Sequence, residues 1–175
     1  MNVIFTTLMV LLTAPCMEPF ARLMHRYVMH GFVWGWHQSH HRPRGDKNTW
    51  FECNDLYALV FATFAIALIA FGVFVFYLFL WMGYGMTLYG LIYFFVHDTM
   101  VHQRWPLKWI PRRGYLKSLY QCHRLHHAST EKSNAVSPGS LYISSAHLLK
   151  QKMQSQQLVK TRTSPAPQDK VIWRA

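Results

Sequence analysis

The sequence predicts an all-α integral membrane helical bundle, of three or four spans, with a histidine-rich di-metal site at its cytoplasmic face. Three observations carry this: long uncharged stretches, basic residues confined to the flanks of those stretches, and a repeated arrangement of histidines. At 175 residues the chain is a single domain. Only 14% of it is charged and 51% is hydrophobic, whereas a soluble domain carries about 25% charged residues. The formal charge is +11, and all 18 Lys and Arg fall within 22–50 or 104–174. Basic residues that flank apolar runs, and do not interleave with them, mark loops held on the positive side of a bilayer. That distribution excludes nucleic acid as the expected partner. Cys16, Cys53 and Cys122 form no CxxC and read as free thiols, with Cys122 a small buried side chain.

The first span is expected over about 2–23, since 3–17 is uncharged and about 20 residues cross a bilayer. A signal peptide is the rival. It lacks a basic residue before the apolar run and a small-x-small cleavage site after it. Pro15 and Pro19 predict a kink, and Glu18 faces either protein or headgroups. Pro43, Gly45 and mixed charges from Arg42 to Lys47 predict a loop. Asn54-Asp55 predicts a helix cap. No charge occurs from Leu56 to Val96. A single helix from Leu56 to His97 would be about 63 Å long, twice the hydrocarbon core. Two spans are therefore expected, over 56–73 and about 80–101, with Gly72, Gly83 and Gly85 as candidate hinges. Residues 103–120 mix Trp and Tyr with Arg and Lys, which suits an amphipathic segment at the headgroups. Residues 135–151 form an interfacial helix or a partial, fourth span. The membrane-embedded domain is expected over 1–151, with a polar, disordered tail over 152–175.

Ten of the eleven histidines lie in four boxes. His25 and His30 form H-x4-H, and His37, His40 and His41 form H-x2-H-H. His97 and His102 then repeat the first spacing, and His123, His126 and His127 the second. His147 stands outside. The i, i+3, i+4 spacing puts three imidazoles on one helix face. His25 and His30 are about 140° apart on an ideal helix, so they reach one site only if a helix end, a π-bulge or a 3₁₀ turn intervenes. The charge-derived topology brings all four boxes to one membrane face. Imidazole suits Zn, Cu, Fe and Ni. Ten histidines exceed what one ion needs, and no H-E-x-x-H occurs, so two nitrogen-ligated ions are expected. Asp98 and Asp55 are candidates to orient ligand imidazoles from behind. A helix cap is the rival role for Asp55.

These boxes, with Phe32-Val-Trp-Gly-Trp-His-Gln-Ser-His-His41, Asn54-Asp-Leu-Tyr57, Tyr89-Gly-Leu-Ile-Tyr-Phe94, Val101-His-Gln-Arg-Trp-Pro106 and Ile110-Pro-Arg-Arg-Gly-Tyr115, resemble the bacterial non-haem di-iron β-carotene 3-hydroxylases of the fatty acid hydroxylase and sterol desaturase superfamily. The likeness covers about 14–142 and loosens after the fourth box, where Pro138 stands in place of an aromatic residue. It implies a monooxygenase of the bacterial inner membrane with two iron ions, O2 as co-substrate and a ferredoxin-type electron donor. The reaction would carry β-carotene through β-cryptoxanthin to zeaxanthin. The implied iron ligands are the ten box histidines. A carotenoid substrate and membrane lipid are the other expected partners. Phe61, Phe64, Phe71, Tyr89, Tyr93, Phe94 and Phe95 are candidates to line a polyene slot. The rivals are a sibling sterol or fatty-acyl hydroxylase or desaturase, a histidine-rich membrane metal transporter and a haem b protein. A transporter needs polar groups at mid-membrane, and haem b needs histidines within the spans.

Overall fold

The computed structural model describes residues 2–41, 51–106, 109–128, 132, 141–143 and 145–163. It is all-helical, with no strand among the described residues. Helix α1 (Val3–Leu23) starts where the Asn2 side-chain oxygen accepts the Ile4 N–H at 3.0 Å, satisfying one of the free donors of the first turn. It runs through Pro15 and Pro19 without ending and continues as a π-helical segment, Met24–Phe32. Gly31 is non-helical (φ −104°, ψ −123°) and turns the chain into the short helix α2 (Trp34–His41). The loop expected around Pro43 and Gly45 lies outside the described residues.

Helices α3 (Asp55–Phe74) and α4 (Leu78–Tyr93) form the expected hairpin, and α4 continues as a second π-helical segment, Phe94–Val101. Gly72 sits where the Leu80 backbone crosses, leaving no room for a Cβ. A Cβ on Gly83 would lie 2.6 Å from the Ile69 side chain, and one on Gly85 would lie 2.5 Å from that of Thr13. These glycines let α4 pack closely on α3 through Gly83 and on α1 through Gly85. Helix α4 is thus the central helix. The other two meet each other far more sparsely, through an edge-to-face pair of Phe20 and Phe61 (centroids 5.9 Å).

Among the described residues, three helical stretches are long and apolar enough to span a bilayer: Val3–Phe32, Asp55–Phe74 and Leu78–Val101. Leu8, Leu12, Phe64, Ile66 and Phe74 point outward. Such a surface is a liability in water and ordinary in lipid, where internally bonded helices are the natural spanning element. Glu18 faces protein. Its carboxylate accepts the Tyr89 hydroxyl and the Tyr142 backbone N–H, both at 2.8 Å, tying α1 to α4 and to 141–143.

Among its described residues, the expected amphipathic segment 103–120 is helical from Gly114 (φ +69°), where α5 (Gly114–His127) begins. Helix α6 (Ala146–Thr163) carries Lys150, Lys152, Lys160 and Arg162 and is not a fourth span. It also crosses the boundary expected at residue 151, so 152–163 are helical where a disordered tail is expected. No Gly or Pro interrupts this stretch, and Leu149 and Met153 anchor it against Cys122 and Leu125 of α5. Residues 164–175 lie outside the described set. Since α1 and α4 run one way and α3 returns, the ends bearing His25, His97 and Asp55 meet at one end of the bundle.

Replacing Gly83 with Leu is expected to cost roughly 1–3 kcal/mol through overpacking. A lowered unfolding midpoint of the detergent-solubilised protein measures it, and an unchanged midpoint would contradict the close packing of α3 and α4.

Candidate metal centre

The two π-helical segments align the widely spaced histidine pairs. The His102 N–H donates to the His97 carbonyl, five residues back, at 3.0 Å. A turn closed in this way brings residues i and i+5 to the same side. The His97 and His102 ring centroids are 4.5 Å apart, and those of His25 and His30 are 4.9 Å apart. The π-bulge is therefore the form taken by the interruption that the H-x4-H spacing requires.

All ten box histidines converge, and they divide into groups. His25, His30, His37 and His126 form one, and His40, His97, His102, His123 and His127 form another. Within each group the candidate ligand nitrogens lie within 4.8 Å of one another. His41 joins the two. It lies with His126 and His127 in a third, overlapping group, and its Nε2 is 3.1 Å from His37 Nε2. The H-x2-H-H boxes are thus shared between the groups. His40 parts from His37 and His41, and His126 parts from His123 and His127. The shared face read from spacing is real but wide enough to touch two centres. His147 is exposed and belongs to none of these groups.

The donor set fits metal ions. Nε2 faces Nε2 at 3.0 Å for His25–His126, 2.9 Å for His102–His123 and 2.8 Å for His127–His123. Metal–nitrogen bonds of about 2.1 Å place neighbouring ligand nitrogens about 3 Å apart. Behind several rings stands an oxygen that only accepts. His37 Nδ1–H donates to Asn54 Oδ1 at 2.7 Å, and His30 Nδ1–H to the Lys132 carbonyl at 3.0 Å. His40 Nδ1–H donates to Glu52 Oε2 at 3.2 Å. These contacts place the proton on Nδ1 and leave the Nε2 lone pair turned inward. Burial pushes the imidazole of His37 down to about 3 and that of His127 to about 2. Burial, reinforced by neighbouring imidazoles, also holds His40, His123 and His126 well below the usual range. Neutral imidazoles are the form a metal takes.

Asp98 lies 3.5 Å from His97 Nδ1, at the outer limit of a hydrogen bond. Asp55 touches no histidine directly. Its carboxylate accepts both terminal nitrogens of Arg104, at 2.5 and 2.6 Å, and Arg104 also reaches Asp98 at 3.3 Å. This paired, fork-like contact holds the guanidinium proton more tightly than usual. Asp55 also accepts the Glu52 N–H, whereas the Asn54 side chain makes no cap bond. Asn54 supports His37 instead. Sequence reading missed Asn54, Glu52 and Arg104 as supporting residues. The signal available was Asn54 beside Asp55 at the start of a helix, and capping accounted for it first. Cys122 is almost fully buried against Leu149, and burial pushes its thiol up.

A cavity of about 500 Å³ runs from the histidines into the bundle between α1, α3 and α4. His25, His37 and His97 form part of its wall, and the rest is mainly apolar. Phe61, Tyr89, Tyr93 and Phe94 line it. Phe64, Phe71 and Phe95, also expected there, are exposed on the outer surface.

Residues 10–140, which include every box histidine, match the family model for fatty acid hydroxylases. The chain belongs to the fatty acid hydroxylase family. Among proteins of known name, it is 56% identical over 136 residues to the β-carotene hydroxylase of Pseudescherichia vulneris, an overlap of 78% of this chain and 76% of that one. It is 54% identical over 139 residues to that of Pantoea ananas, covering 79% and 78%. The chloroplastic β-carotene 3-hydroxylase 1 of Arabidopsis thaliana is 42% identical over 127 residues, covering 70% of this chain and 39% of the plant protein. No solved structure matches the chain. Membership of the fatty acid hydroxylase family agrees with a buried polyhistidine centre and three apolar helices.

Asn54→Leu removes the acceptor behind His37. It is expected to weaken metal retention about 10- to 100-fold, read by metal analysis after dialysis against graded chelator. His147→Ala is expected to retain metal as wild type does in the same titration.

Proposed function

We propose that this chain is a di-iron β-carotene 3-hydroxylase. The observation that carries the reading is an apolar cavity between the three span-length helices with a double histidine centre at its end. The relatives' names supply the substrate, and the carotenoid fits the cavity's lining. The overall reaction consumes a ring C–H, O2, two electrons and two protons, and yields C–OH and water. Two irons held by His25, His30, His37, His40, His41, His97, His102, His123, His126 and His127 would supply the oxidising power that acid–base side chains lack. The protein's own residues place and shield the ring. Tyr57, Phe61, Tyr93 and Phe94 form apolar cavity wall near the histidines, which keeps water away and leaves orientation to shape. Asn54, Glu52 and the Lys132 carbonyl hold the ligand imidazoles in one tautomer. Asp98, held by Arg104, stands 3.5 Å from His97 Nδ1 and would steady that ring by its charge, and Asp55 would act through Arg104.

The histidine end also bears Arg22, Arg26 and Arg104, and by the positive-inside rule it faces the cytoplasm of a bacterial inner membrane. Arg112, Lys117, Arg124 and Lys150 line one groove beside α5. Such a basic surface suits an acidic ferredoxin-type donor. A metal transporter is disfavoured because the cavity is mainly apolar where an ion path needs polar groups.

Bacteria that accumulate β-carotene and express this chain are expected to form β-cryptoxanthin and zeaxanthin, read by chromatography of extracted pigments. Unchanged β-carotene, with the protein in the membrane and reductant present, would redirect the reading to a sterol or fatty-acyl substrate. His37→Ala and His126→Ala are each expected to abolish conversion while the protein still inserts. Full activity in either would remove that residue from the ligand set.

A further inference from the structure

The hairpin of α3 and α4 carries four glycines, Gly72, Gly83, Gly85 and Gly90. Close packing accounts for the first three, because a Cβ at each would clash with a neighbouring helix or with the returning chain. It does not account for Gly90. A Cβ there meets nothing within 4 Å, and its backbone has no positive φ. Glycine inside a helix is less stable than alanine, so neither packing nor local conformation explains this one. The open space beside it is the cavity that ends at the histidines.

The geometry points to Gly90 as the residue that sets the width of the substrate slot. This rests on the hydroxylase reading given above. Gly90 precedes His97 by seven residues, about 10 Å along the helix. With the reacting ring carbon at the histidines, that level falls beyond the ring, on the conjugated chain. Across the slot, α3 presents Ala58, Ala62 and Ala65, spaced i, i+4 and i+7 on one helix face. Larger side chains border this section lined by small residues: Tyr93 and Phe94 lie nearer the histidines, and Met86 lies deeper. A flat, rod-like chain passes between a glycine and a row of alanines. A Cβ at position 90 would meet no protein atom within 4 Å, and a longer side chain there would extend into the path of the substrate.

The test compares Gly90→Ala, Gly90→Leu and wild type in β-carotene-accumulating bacteria. Membrane protein level, bound metal and hydroxylated product are measured for each. Gly90→Leu is expected to reach wild-type protein and metal levels and to lower β-carotene conversion at least ten-fold, with Gly90→Ala between the two. Gly85→Leu, run alongside, is expected to lower the protein level itself, which shows what a packing defect looks like in the same assay. Wild-type conversion by Gly90→Leu would overturn the assignment. So would a loss that merely follows reduced protein or metal. Conversion by wild type tests the hydroxylase reading separately, and an inactive wild type would sink that reading and this inference with it.

Discussion

The turn that closes from residue i to residue i+5 is what the rest of this site depends on. An α-helix would carry His25 and His30 to different sides, and likewise His97 and His102. The π-helical form brings each pair together, as the His102 N–H bond to the His97 carbonyl shows. Such turns are rare and poorly favoured in isolation. Here each one ends a membrane span whose register is already set by close packing at Gly83 and Gly85. Packing of the spans thus fixes the height of the histidines, and the π-turn fixes their direction.

Around that arrangement lies a shell of oxygen atoms that accept hydrogen bonds from the imidazoles. Asn54 and Glu52, just before α3, and the Lys132 carbonyl, beyond α5, all lie outside the spans. The centre is therefore completed by the connections at the bundle end. Tyr57 adds to this by donating its hydroxyl to the Val33 carbonyl at 2.8 Å, which secures the start of α2 against α3. The bidentate pair of Arg104 and Asp55 does the same for the end of the second π-turn.

Much of this was legible in the sequence because it rests on spacing and charge. The uncharged run after Asp55 was too long for one span, and the hairpin followed. The histidine periods showed where the centre had to form and that His25 and His30 required a helix irregularity. What spacing could not supply was contact between distant segments. Nothing local distinguishes Asn54 as a helix cap from Asn54 as the partner of His37, seventeen residues away. Similarly, Phe61 and Phe64 read alike along the chain, yet one faces the cavity and the other lipid. Helix α6 overlaps the interfacial helix expected over 135–151, but its run past 151 was not legible because that stretch is polar; among the described residues, Leu149 and Met153 pack it against Cys122 and Leu125 of α5.

The division of each H-x2-H-H box between two groups has a consequence for assembly. On the proposed ligand sets, His37 and His40 sit on one short helix but serve different ions, and so do His123 and His126. An ion captured by either group orders α2 and α5 together, and so pre-forms the other group. The entropy of arranging those helices is spent once, at the first event. The two ions should therefore load with positive cooperativity, and half-filled molecules should be scarce at every metal concentration.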